Sequence, residues 1–315
     1  MLYLDGMLEM QTIYKKDWLC KIGLLFAAFL GSIIYVNFSI AQTISAGIPP
    51  TALSIINSKL GLGGQQTSII DHKTCPKLDS KTISGSGRII VEIAIVCNAV
   101  HEANLADKIN LIHHLPQRRR MTDIAAGKID ISGTTIFPEG MQNVVGQKSV
   151  ILTNAILRAN EFEKAIFTLP NRADVLQVKS LKELRNFKAV IVKFWRVDIK
   201  TLRSMKLKKV VGVLKPNNYT KIMTIGRADF TISEFKSLTN KTWAKGMARV
   251  PGIKVALVST RLFPVSPKRP DIVKAINVFV AKSRAGKVDL IRQAFEKSDF
   301  INSEFSHWKL LFPVK

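Results

Sequence analysis

Two stretches far apart in the chain share one plan, and that plan restricts the fold more than any other feature. Arg120-Met-Thr-Asp-Ile-Ala-Ala-Gly-Lys-Ile-Asp130 reads as a short helix, a glycine stop and a strand opening around aspartate. Ile222-Met-Thr-Ile-Gly-Arg-Ala-Asp-Phe-Thr-Ile-Ser-Glu234 follows the same logic. Glycine ends a helix because it enters a left-handed turn without a Cβ penalty, and the strand behind it then carries its far end to whatever lies between the two units.

The intervening segments have the same grain. Strands are expected at 66–70, 108–113, 189–192, 209–214 and 228–232, with short helices at 121–127, 198–205 and 220–225 and longer amphipathic ones at 271–282 and 288–295. Ser180-Leu-Lys-Glu183 is a capping box, with Ser180 as N-cap and Glu183 at the third helical position. The apolar run from Ile89 to Val100 fits either strand or helix. Residues 42–65, ending in Gly61-Leu-Gly-Gly64, read as a poorly ordered leader. Short strands alternating with short helices predict an α/β fold with mainly parallel sheets built from βαβ units.

Composition sets the outer limits. With 47% apolar and 22% charged residues, extended disorder, collagen-like repeats and a multi-span membrane protein are excluded. Lys and Arg number 47 against 23 Asp and Glu, for a net charge of +24. In residues 1–41 the three bases and three acids cancel, so the excess belongs to the remainder, where it favours anionic neighbours. Nucleic acid is not the expected partner, because no basic-plus-aromatic recognition motif is present.

The N-terminus has the form of an export signal. Lys15, Lys16 and Lys21 precede a 15-residue apolar stretch from Ile22 to Val36, and Ser39-Ile40-Ala41 places small residues before Gln42. Residues 1–41 are therefore expected to be a cleaved signal peptide and the protein periplasmic, with retention of residues 22–40 as a membrane anchor the alternative. Cys75 and Cys97 remain in the mature chain, and in an oxidising compartment one disulfide between them is expected. No Cys-x-x-Cys or His-x-x-x-His spacing exists, which argues against a metal site, and no cofactor is called for. His113 and His114, adjacent on a strand, point to opposite faces and cannot share one metal.

Together with Ser180-Leu-Lys-Glu-Leu184 and the tail Val265-Ser-Pro-Lys-Arg-Pro270, the two helix–glycine–strand units resemble the extracytoplasmic solute-binding proteins. The resemblance is to the type II proteins that bind amino acids for ABC importers, and it covers about residues 85–310. It implies two α/β domains with central, mainly parallel sheets, joined by a hinge and holding ligand in the cleft between them. Domain one would comprise 66–157 plus 250–315, and domain two 158–249.

The family's ligand contacts map unevenly. The segment Gly133-Thr-Thr-Ile-Phe-Pro-Glu-Gly140 ends in glycine where the family has an arginine that grips the ligand carboxylate. Glycine cannot replace a bidentate guanidinium clamp, which puts ordinary α-amino-acid binding in question. The ammonium-binding acid falls on Glu234, and Thr134 and Thr135 match positions that touch ligand. The loop Phe194-Trp195-Arg196 supplies a flat apolar wall in Trp195 and a substitute cation in Arg196. Arg118-Arg119-Arg120 reads as a solvated face, the alternative being that one of the three reaches an anionic ligand from the start of the helix.

The function these features imply is non-catalytic capture of a small polar or anionic solute, by a soluble monomer serving an ABC permease or a membrane sensor. The alternatives are a dehydratase-like cleft enzyme of the same fold and a basic module docking on envelope polymers.

Overall fold

A computed structural model describes residues 43–62, 67–113, 115–141, 149–236 and 242–313. The expected signal segment and cleavage site, and His114, lie outside the described residues. Among the described residues no helix is long and apolar enough to cross a membrane.

Six strands form the first sheet in the order β2 (Thr67–Asp71), β3 (Lys108–Ile112), β1 (Thr43–Gly47), β4 (Ile131–Ser132), β11 (Pro264–Val265) and β5 (Ile151–Leu152). Its centre is parallel, with β1 between β3 and β4; the other three strands extend it antiparallel. Strand β1 corrects the reading of 42–65 as a disordered leader. Thr-Ile-Ser-Ala-Gly alternates, and its inward residues Ile44 and Ala46 are fully buried. Helix α1 (Leu53–Leu60) follows and stops at Gly61, which has φ +66°. The strand expected first, at 66–70, is instead the antiparallel β2.

The ambiguous run after Ile89 is a helix, α2 (Gly87–Glu102). It packs against α1, α8 (Pro270–Ala285) and α9 (Leu290–Lys297), and every residue from Ile89 to Cys97 is buried. Burial on all sides removes the polar face by which periodicity identifies a helix. Cys97 on this helix is bonded to Cys75, with Cα atoms 5.9 Å apart, which ties the segment after β2 to the core.

The second sheet runs β12 (Lys309–Phe312), β10 (Ala248–Ala256), β6 (Glu163–Thr168), β9 (Thr231–Ser233). A parallel pair, β7 (Lys188–Val192) and β8 (Lys209–Val213), joins it through a parallel bridge between Ala189 and Phe230. Strands β10 and β12 thus pair within the second sheet, although most of β10 and all of β12 fall in the span beyond residue 250 assigned by sequence to domain one. They do so because Ile253, Val255, Leu257 and Leu311 bury into the second core. The Ser180 hydroxyl accepts the Glu183 N–H at 3.2 Å as the capping box requires, opening α5 (Leu181–Leu184) after α4 (Ala173–Leu176).

The two recurring units have one structural job. Helix α3 (Gln117–Ala125) and helix α7 (Tyr219–Thr224) are each followed by a glycine at positive φ, Gly127 at +71° and Gly226 at +67°. Three residues later an aspartate accepts the backbone N–H at or near the start of a neighbouring strand: Asp130 from Ser45 at 2.8 Å, and Asp229 from Lys188 at 2.7 Å. An Arg-x-Asp pair braces each of them. Arg269, paired with Asp271, reaches Asp130 at 3.2 Å, and Arg172, paired with Asp174, reaches Asp229 at 2.8 Å.

Two main hydrophobic cores result, one including Ile44, Ile95 and Phe263, the other Phe167, Ile191 and Phe230, with a smaller cluster around Met121, Ile124 and Ile136 beside the first. Two antiparallel segments connect the main cores, with backbone hydrogen bonds between Ile156 and Arg261, Asn160 and Leu257, and Leu257 and Phe162. The molecule is therefore two α/β domains joined by a pair of crossing segments, with a cleft between.

Candidate binding site

The cleft encloses about 620 Å³ and draws its walls from both domains. Thr134, Thr135, Trp195, Arg196 and Glu234 all line it, although they lie up to a hundred residues apart in the chain. Each arrives at the end of a strand. Thr134 and Thr135 follow β4, Trp195 and Arg196 follow β7, and Glu234 follows β9. In α/β sheets that end of the strands faces the ligand crevice.

On the first domain's wall, Thr135 sits in a buried polar network. Its hydroxyl donates to Glu92 and accepts from Arg261 Nε at 2.8 Å, and its carbonyl accepts from Arg261 Nη2 at 2.6 Å. Glu92 is 0% exposed and also pairs with Arg88. Thr135 thus positions Arg261, which lies 4.5 Å over the Phe137 ring. Burial, with a smaller contribution from Arg88, lowers the Arg261 guanidinium to about 9, still charged at neutral pH.

On the second wall, Tyr219 accepts the Val192 N–H at 3.0 Å and holds the end of β7, so that the loop at 193–195 turns into the cleft. Burial pushes the Tyr219 phenol well above its ordinary value. Helix α6 (Arg196–Ser204) begins at Arg196, two residues earlier than expected, and its N-terminus adds a favourable field for anions. Asp198 in its first turn is neutralised by a buried ion pair with Lys164 of β6. The Lys164 ammonium lies 5.5 Å from the Trp195 ring centre, so the cation that meets this aromatic wall belongs to the protein itself. Arg196 and Glu234 are exposed at the cleft surface.

Across the opening, Glu139 accepts from Lys200 of α6 at 2.9 Å and from the Ser259 hydroxyl at 2.6 Å, linking the two domains. Burial raises the Glu139 carboxyl, but the Ser259 and Lys200 hydrogen bonds outweigh it and hold the group below its ordinary range.

The sequence reading favoured a solvated face for the run 118–120, and Arg120 departs from it. Arg118 and Arg119 are exposed, as a solvated run requires, but Arg120 is 3% exposed and lines the cleft. The signal was its spacing: it stands four residues before Ile124 on α3, on the buried face. Its stem crosses Gly47, where a Cβ would come within 2.9 Å of it. Burial, then Arg88, lowers this guanidinium to about 10. Lys164, Asp198 and Arg261 were not foreseen, since only the fold brings them to the cleft.

No protein-family model matches the chain, and none of the curated proteins matches it. Solved structures do. The probable amino-acid ABC transporter extracellular-binding protein ytmK from Bacillus subtilis is similar at a TM-score of 0.50 and 14% identity, over 82% of this chain and 97% of its own. The fold is that of the type II periplasmic solute-binding proteins. Weaker likenesses are an amino acid ABC transporter substrate-binding protein, AbpA, from Streptococcus pneumoniae bound to L-arginine (TM-score 0.42, 11% identity, 81% of this chain and 95% of that one) and an ancestral arginine-binding protein bound to arginine (0.43, 15%, 81% and 97%). At such identities the likeness speaks to fold alone. Within the type II fold, Gly140 lines the cleft without a side chain, and the Gln117 amide of α3 sits 3.2 Å from where its Cβ would be.

Proposed function

We propose that this protein is an exported, non-catalytic binding protein that captures a small polar or anionic solute between its two domains and presents it to an ABC importer or a membrane sensor. The observation that carries the reading is convergence. Residues from segments spread through the whole described chain meet in one hinged cleft, and its ionisable lining is predominantly basic: Arg88, Arg120, Lys164, Arg196 and Arg261 against Asp198 and Glu234. Arg196 meets an anionic group on the ligand, Trp195 supplies a flat wall, Thr134 offers polar contacts and Glu234 faces a cationic or hydrogen-donating group. The hinge runs through 158–161 and 258–262, which puts the first domain at about 43–157 plus 263–300 and the second at about 162–257 plus 301–313. Residues 1–41 direct export and are removed.

A thermal-shift screen of the mature protein against amino acids, organic acids and polyamines, followed by calorimetry, tests this. Saturable one-to-one binding with the solute recovered unchanged is expected. Conversion of the bound solute would instead identify a cleft enzyme, and the absence of binding by any solute class would refute the capture role.

A further inference from the structure

The cations of the cleft fall into two groups. Lys164 is paired with Asp198, Arg88 with Glu92, and Arg261 is held by Thr135 with Glu92 at 3.9 Å. Arg120 and Arg196 differ. Arg120 donates Nη1 to the Leu115 carbonyl at 3.1 Å, while its buried Nε meets no acceptor. Burying a guanidinium with part of its donor set unmet is costly, and an anion that reaches its cleft-lining end offsets that cost. Arg196 makes no ion pair to any described residue and stands at the first position of a nine-residue helix. One guanidinium belongs to the first domain and the other to the second.

Gly140 offers the cleft no side chain, and Arg120 reaches it from helix α3. The place where an arginine side chain would start at residue 140 is approached by Gln117, and the Arg120 stem fills the space over Gly47. Helix α3, not the loop that ends at residue 140, therefore brings a cation to the first domain's wall. Glu234 remains as the acid on the opposite side.

Resting on the capture role argued above, we infer that the ligand is a small dicarboxylate bearing a donor group, ammonium or hydroxyl, between its ends. Arg120 binds one carboxylate and Arg196 the other, and Glu234 accepts from the donor group. A ligand held this way bridges the two domains, because neither guanidinium alone satisfies both of its charges.

Calorimetry on the full mature chain with L-glutamate, L-malate, succinate, L-alanine and acetate tests the inference. L-glutamate or L-malate binds; L-alanine and acetate bind at least about 30-fold more weakly, the loss expected when one charge-paired contact is missing. Arg120→Met keeps the stem over Gly47 yet loses at least about 30-fold in affinity, and Arg120→Lys recovers part of it. Glu234→Gln narrows the preference for L-malate over succinate. The melting temperature of each unliganded variant reports folding independently. If L-alanine binds as tightly as L-glutamate, or Arg120→Met binds like wild type, the dicarboxylate inference fails and the capture role stands. If screening finds no solute at all, both fail together.

Discussion

Single residues at the cleft separate function from solvation. Arg196 lines the cleft, whereas Arg119 is 64% exposed and pairs with Asp123 on its own helix. Arg196→Ala is expected to weaken binding of the captured solute by about 2–5 kcal/mol, the cost of truncating a charged contact that the bound solute covers. Arg119→Ala is expected to change it by less than about 1 kcal/mol, because its guanidinium is solvated and does not line the cleft. Calorimetry on the two variants checks this, and equal affinities would place Arg196 outside the site. Glu139 adds a pH test. Its carboxyl is held below its unfolded value, so the contribution it makes with Lys200 and Ser259 is present above about pH 4.3 and disappears as pH falls through the folded value. The gap in melting temperature between wild type and Glu139→Gln should accordingly be widest near neutral pH and close on acidification.

At the scale of elements, strand β1 carries more than its five residues suggest. It is hydrogen-bonded on both sides, and Ile44 is buried in the first core. Ile44→Ala should cost about 2–5 kcal/mol of stability, measurable by denaturant unfolding, whereas a disordered leader would tolerate it without effect. The Cys75–Cys97 disulfide closes a separation of 22 residues and anchors to α2. Replacing both cysteines with serine should lower stability by about 3 kcal/mol on the loop-closure model, read in the same unfolding experiment. The helix–glycine–aspartate units behave alike in both domains because each aspartate accepts a backbone N–H from a neighbouring strand. Their recurrence in the sequence was thus the signature of a repeated structural joint, and the cleft-lining Thr134, Thr135 and Glu234 lie at the far end of the strands that follow.

On the scale of the whole molecule, the +24 charge and the basic cleft act in the same direction, drawing anions toward the opening. Export is the companion prediction. Intact-mass measurement of protein from the extracytoplasmic fraction should give a chain beginning at Gln42, while an unprocessed chain in the membrane pellet would show retention by residues 22–40.

What the sequence determined by itself was local and periodic. The glycine stops, the capping box at Ser180 and the alternation of short strands with short helices follow from backbone sterics and hydrogen bonding within a few residues, so they are legible without a fold. Thr134, Thr135 and Glu234 could be named only through the resemblance to the solute-binding proteins, and Trp195 and Arg196 through that match together with the rule that strand-to-helix loops face the crevice. Tertiary structure decided the rest. Strand β1 is too short to stand out until β3 and β4 flank it, and α2 hides its helical period because all its faces are buried. Strands β10 and β12 pair within the second sheet because the partners that cover Ile253 and Leu311 lie in the second core. Arg120 is distinguished from Arg119 by the packing of α3 over Gly47, which turns one guanidinium of a basic run inward to the cleft and leaves its neighbour in water.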